Sequence, residues 1–173
     1  NPVFMGIDIK PSQIQALNPW MVMGLIPIFV FIIYPLVQKF YDFTPLRRMA
    51  WGMIIASFSF IQIGFIQYAL DGGTELNIMW QFFPYLTITI AEVMISITGL
   101  EFAYTQAPPS LKSTVMSFWL LTTFLGNFIV AIVAEINIFE GGNFFVFFGV
   151  LMFAVSGVFA LMAKKYKMRT FSN

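Results

Sequence analysis

Five stretches of this chain are long and apolar enough to cross a bilayer, and that feature limits its fold more than any other. A spanning helix needs about 20 mostly apolar residues. The stretches run over 17–38, 47–69, 79–105, 113–137 and 143–164. Short breaks part them: Lys39 to Arg48 with Pro45, Asp71-Gly72-Gly73, Pro108-Pro109, and Glu140-Gly141-Gly142. Punctuation of this kind marks tight turns between antiparallel neighbours. The runs are apolar on every side rather than alternating in segments of about ten residues, so they predict helices and not a membrane barrel. The predicted fold is an all-α polytopic membrane bundle of five transmembrane helices, read as a single transmembrane domain over 1–173.

Composition agrees. Hydrophobic residues make up 59% of the chain and charged residues 10%, and 22 residues are Phe. Soluble domains carry about 25% charged residues. A net charge of +1 gives no field that would draw a nucleic acid. The chain has no Cys and no His, which excludes disulfides, thiol chemistry, thiolate metal sites and an imidazole base. No paired nucleophile or metal cluster stands out, so an enzyme is not expected. The sequence starts at Asn1 without an initiator Met, and its first residues lack the apolar core of a signal peptide. It reads as the middle of a longer polypeptide.

Basic residues supply an orientation. Lys39, Arg47, Arg48, Lys112, Lys164, Lys165, Lys167 and Arg169 fall in one set of loops, and only Lys10 falls in the other. By the positive-inside rule the first set is cytoplasmic. The N-terminus is then outside and the C-terminal tail inside, as an odd number of spans requires.

A few polar residues stand where the bilayer makes them expensive. Glu92 lies in the middle of the third span, with no basic residue within helical reach. An ionisable group at that depth is by default a functional candidate, and its partner must come from another helix, a substrate or a proton. The bland alternative is a protonated Glu hydrogen-bonded inside the bundle. Ser96 is four residues on and shares its face. Glu101, nine residues on, is expected on roughly the opposite face, near the cytoplasmic end. It reads either as a gate contact to Lys112 or another helix, or as a hydrated interfacial side chain. Glu135 reads as interfacial.

Asn18 opens the first span beside Pro19. It reads as a helix N-cap, or as an amide facing a cavity. Pro27 and Pro35 inside the same span predict bends. Trp119 sits deeper in the fourth span than an interfacial belt would place it, as a pocket wall or as bundle packing. Gly99 and Gly126-Asn127 read as close helix packing.

The run EVMISITGLEFAYTQAPP from Glu92 continues into SLKSTVMSFWLLTTFLGN, and the whole closely resembles the proton-dependent oligopeptide transporter family, a branch of the major facilitator superfamily. IDIKPSQIQALNP resembles that family's approach to its eighth helix, and YPLVQKFYDFTPLRRMAWG resembles its loop between helices eight and nine. The resemblance implies that the five spans are helices eight to twelve of a twelve-helix protein, an incomplete C-terminal six-helix half. It implies a symporter of di- and tripeptides with the proton as co-substrate and no other cofactor, working by alternating access with an N-terminal half. The location implied is the plasma membrane or a bacterial inner membrane. Glu92 then resembles the acid that pairs with the peptide ammonium, and Asn18 an amide at the same end of the peptide. Trp119 resembles an aromatic pocket residue, and Ser96 lies where the binding helix faces the cavity. Glu92, Glu101 and Lys112 are the gating or proton-linked candidates. The family's first-helix acidic motif, its N-terminal basic residues and its seventh helix have no counterpart in this sequence. Two alternatives stay open: a carrier of another solute on the same fold, and a non-transporting membrane subunit.

Overall fold

The computed structural model describes residues 3–4, 7–8, 11–136 and 141–166, with side chains from residue 16 onward. Lys10, Glu140, Lys167 and Arg169, and the end of the expected fourth span at 137, lie outside the described residues. Val3–Phe4 and Ile7–Asp8 pair antiparallel, Val3 opposite Asp8 and Phe4 opposite Ile7. The regular elements that follow, among the described residues, are helices joined by short turns. Five helices are long and apolar enough to span a membrane: Ala16–Gln38, Pro45–Asp71, Ile78–Thr105, Pro109–Ile136 and Gly142–Lys165. These are the first to fifth spans below, and each matches its sequence-based bounds closely.

Apolar surface drives such helices into lipid, but close packing holds them together there. The second and fifth spans make the most extensive pairing. Small residues permit it. A methyl group on Gly64 would fall 2.6 Å from Val146 Cγ2 and 3.3 Å from the Gly142 carbonyl. Buried Ser59 ties the second span to the third by donating to the Pro84 carbonyl at 2.8 Å. Phe29 and Tyr34 of the first span, Phe43 of the loop after it, and Val93 and Met94 of the third span form an apolar core, with Ile55 of the second span packed against it. The fourth span meets only the third, near Thr98–Thr105, among the described residues. Gly126 on it has open space around it, so the close packing expected there finds no partner among the described residues.

The expected proline bends appear as a change of helix type. Phe29–Ile33 forms a π turn, in which the Tyr34 N–H reaches back five residues to the Phe29 carbonyl. Pro35 follows at once and cannot donate to the carbonyl four residues back. A second π turn, Val93–Ile97, interrupts the third span directly after Glu92. π turns inside membrane helices are uncommon and gather at functional sites.

The loop between the first two spans is clasped by arginines. The Arg48 guanidinium lies 4.2 Å from the Tyr34 ring centre and its Nε donates to the Phe43 carbonyl at 3.0 Å. Arg47 lies over Tyr41, 3.6 Å from an Asp42 carboxylate oxygen.

Candidate functional site

The first span places Asn18 on the third span. Its helix begins at Pro11, so Asn18 lies inside the helix and is not its N-cap. The proline rule misplaces the helix start because Pro also sits at position 11, ahead of Pro19. Freed from capping, the Asn18 amide turns to the neighbouring helix. Its Nδ2 donates to Glu92 Oε2 at 3.2 Å. Its Oδ1 accepts from Thr89 Oγ1 at 2.8 Å. Thr89 is fully buried, and its hydroxyl also lies 2.7 Å from the Tyr85 carbonyl four residues back.

Glu92 and Ser96 are both exposed, while Val93 and Met94 between them are buried. The π turn separates the two faces of the third span in this way. It also takes up an extra residue, so the period that set Glu101 opposite Glu92 does not hold. Glu101 is exposed as well, and buried Thr98 and Gly99 form the packed face there. Lys112 is not joined to Glu101. Its ammonium stands 4.3 Å from the centre of the Tyr104 ring. Glu135 is exposed near the end of the fourth span.

Trp119 is half-buried and seals the contact between the third and fourth spans. A methyl group on Gly99 would collide with Trp119 Cη2 and come within 3.1 Å of Met49 Cε. Gly99 thus packs as expected, and Trp119 reaches the third span's backbone some two turns beyond Glu92.

The site lies on an open face. One apolar cleft of about 370 Å3 runs between the second and third spans past Gln67, Gln81 and Tyr85. Another of about 530 Å3 lies among Phe29, Trp51, Ile90 and Met94. Neither is lined by Asn18 or Glu92. No ion pair engages Glu92 among the described residues. The chemistry on offer is a carboxylate braced by an amide on one flank and open on the other. An acceptor so placed suits a cationic hydrogen-bond donor, since charge-assisted bonds are the stronger kind. Thr89 escaped the sequence reading. The available signal was a hydroxyl three residues before a membrane-depth Glu, one helical turn away.

Comparison with known proteins bears on this arrangement. The family model described as the POT family matches residues 2–140. "Peptide transporter family 2" of Caenorhabditis elegans is 44% identical over 100 residues, 57% of this chain and 13% of that protein. "Solute carrier family 15 member 2" of Rattus norvegicus is 46% identical over 92 residues, 53% of this chain and 13% of that protein. Among solved structures, an auto-inhibited POT family peptide transporter superposes with a TM-score of 0.87 at 38% identity, covering 99% of this chain and 36% of that one. The POT family transporter PepTSo gives 0.83 at 37% identity, covering 98% and 36%. The chain therefore spans about a third of the solved transporters, and its match spans about an eighth of these curated relatives.

Proposed function

Because this chain belongs to the POT family, we propose that it forms helices eight to twelve of a proton-coupled di- and tripeptide symporter. It is an integral membrane protein with the fold of its solved relatives. The observation that carries the reading is the exposed Glu92 carboxylate, braced by Asn18 at membrane depth and left without a cationic partner among the described residues. A peptide ammonium leaves water only where a carboxylate and further acceptors replace its hydration. Glu92 takes that charge, Asn18 orients the carboxylate, and Ser96 lies on the same exposed face. Trp119 sets the wall where the fourth span meets the third.

Peptide side chains vary, so recognition has to grip the termini. This chain receives the amino end, and an N-terminal half of the same transporter receives the carboxylate. Glu92 is the group able to exchange a proton for an ammonium, which links peptide movement to the proton gradient. Glu101 and Lys112 lie toward the end of the third span and beyond it, where a gate would close. The count of basic residues supports an N-terminus outside and a tail in the cytoplasm, and family membership supports a plasma or bacterial inner membrane.

The test is uptake by the complete polypeptide in proteoliposomes with an inward proton gradient. Labelled dipeptide should accumulate, and unlabelled di- and tripeptides should compete. A carrier of another solute on this fold would ignore them, and that result would overturn the peptide reading.

A further inference from the structure

A threonine hydroxyl holds one hydrogen and can also accept. That of Thr89 faces two acceptors, Asn18 Oδ1 at 2.8 Å and the Tyr85 carbonyl at 2.7 Å. One hydrogen cannot satisfy both fully. The Tyr85 carbonyl already receives the helical N–H of residue 89, so it does not depend on the hydroxyl. Asn18 Oδ1 does depend on it as long as Nδ2 points at Glu92. Thr89 is fully buried, so water does not take its place.

Two arrangements of these atoms pair both the Thr89 hydrogen and one N–H of the Asn18 amide. In the one observed, Thr89 donates to Asn18 Oδ1, and Nδ2 donates to the Glu92 carboxylate, which can only accept. In the other, the Asn18 amide is turned over. Its nitrogen donates to Thr89 Oγ1, the Thr89 hydrogen moves to the Tyr85 carbonyl, and the amide oxygen faces the open side. The second arrangement suits an ammonium, which carries donors only. An ammonium approaching Glu92 Oε2 in the first arrangement meets another donor, the Asn18 nitrogen, 3.2 Å from the same oxygen.

We propose that Thr89 is the positioning residue of this site, whose rotating hydroxyl lets Asn18 present nitrogen to the bare carboxylate and oxygen to an arriving peptide ammonium. This rests on the amine-recognition reading above. Both arrangements leave no buried polar atom unpaired, so the exchange carries little cost, whereas a side chain that only donates or only fills space fixes or orphans the amide. Valine keeps the shape of threonine and removes the hydroxyl. Serine keeps the hydroxyl.

The experiment compares inhibition of labelled dipeptide uptake by a free-amine dipeptide and by its N-acetyl analogue, in the complete transporter. Thr89→Val should weaken the free-amine peptide roughly tenfold and leave the N-acetyl analogue unchanged, because one orphaned polar contact costs about that factor. Thr89→Ser should retain the wild-type ratio. Unchanged inhibition by both in Thr89→Val, or equal weakening of both, would overturn the proposal. A wild-type protein that takes up peptides without preferring the free amine removes its premise; one that takes up none refutes the peptide function itself. A second readout uses the unmodified protein. Adding the free-amine dipeptide should change a side-chain amide band in the infrared difference spectrum that Asn18→Asp abolishes and the N-acetyl analogue does not elicit. Absence of that band change contradicts the exchange even where a Thr89 variant fails to reach the membrane.

Discussion

Asn18 and Glu92 lie 74 residues apart in the sequence, and the amide nitrogen of the first donates to a carboxylate oxygen of the second at 3.2 Å. The bond crosses from the first span to the third, level with the start of a π turn. It fixes one flank of Glu92 and leaves the other free for a cation. That asymmetry is the physical basis of the functional reading.

Asn18→Ala should separate binding from stability. Thr89 loses one acceptor but can turn its hydrogen to the Tyr85 carbonyl, 2.7 Å away. The buried hydroxyl is therefore not stranded, and the melting temperature of the purified transporter should move little. The peptide ammonium loses the amide oxygen beside Glu92, and the apparent KM for a dipeptide should rise roughly tenfold. A large fall in melting temperature with an unchanged KM would show that Asn18 is structural.

Gly99→Ala should loosen the joint between the third and fourth spans. The added methyl falls on the Trp119 ring and 3.1 Å from Met49 Cε. Overpacking of this kind costs about 1–3 kcal/mol. Trp119→Ala in the same molecule removes the obstacle, so the double variant should be more stable than the two single losses predict. Additive losses in a thermal double-mutant cycle would count against the contact.

Arg48→Lys should destabilise the clasp of the first loop despite keeping the charge. Lysine has no Nε–H to give the Phe43 carbonyl and no planar face to lay on Tyr34. A loss of about 1 kcal/mol is expected from the hydrogen bond alone. Thermal unfolding in detergent measures it, and a wild-type midpoint would mean that the charge by itself sufficed.

The spans were legible because hydrophobicity over some twenty residues is a strong, local signal, and the breaks at Pro45, Gly72-Gly73 and Pro108-Pro109 are equally local. The site was legible in part. Glu92 stood out because a charge in an apolar run is costly. Asn18 admitted two readings, a cap and an amide facing a cavity; the cap fails because the helix starts at Pro11, ahead of Pro19, and the amide faces the third span. The π turn at Val93–Ile97 left no mark in the composition, and it undid the face assigned to Glu101. Thr89 carried only the weak signal of a hydroxyl one turn before Glu92, because its role depends on a side chain 71 residues away. A gate contact between Glu101 and Lys112 was one of the readings charge alone allowed, whereas the Lys112 ammonium lies over the Tyr104 ring.

In the proposed function, Glu92 carries the exchange between proton and peptide ammonium. The most direct test of that role is Glu92→Gln in the complete transporter, reconstituted with an inward proton gradient and supplied with labelled dipeptide. Glutamine preserves the size of the side chain and can still accept from Asn18, so folding should survive. The wild type should concentrate the peptide inside the vesicles and the variant should not. Accumulation by the variant to the wild-type level would contradict that role for Glu92.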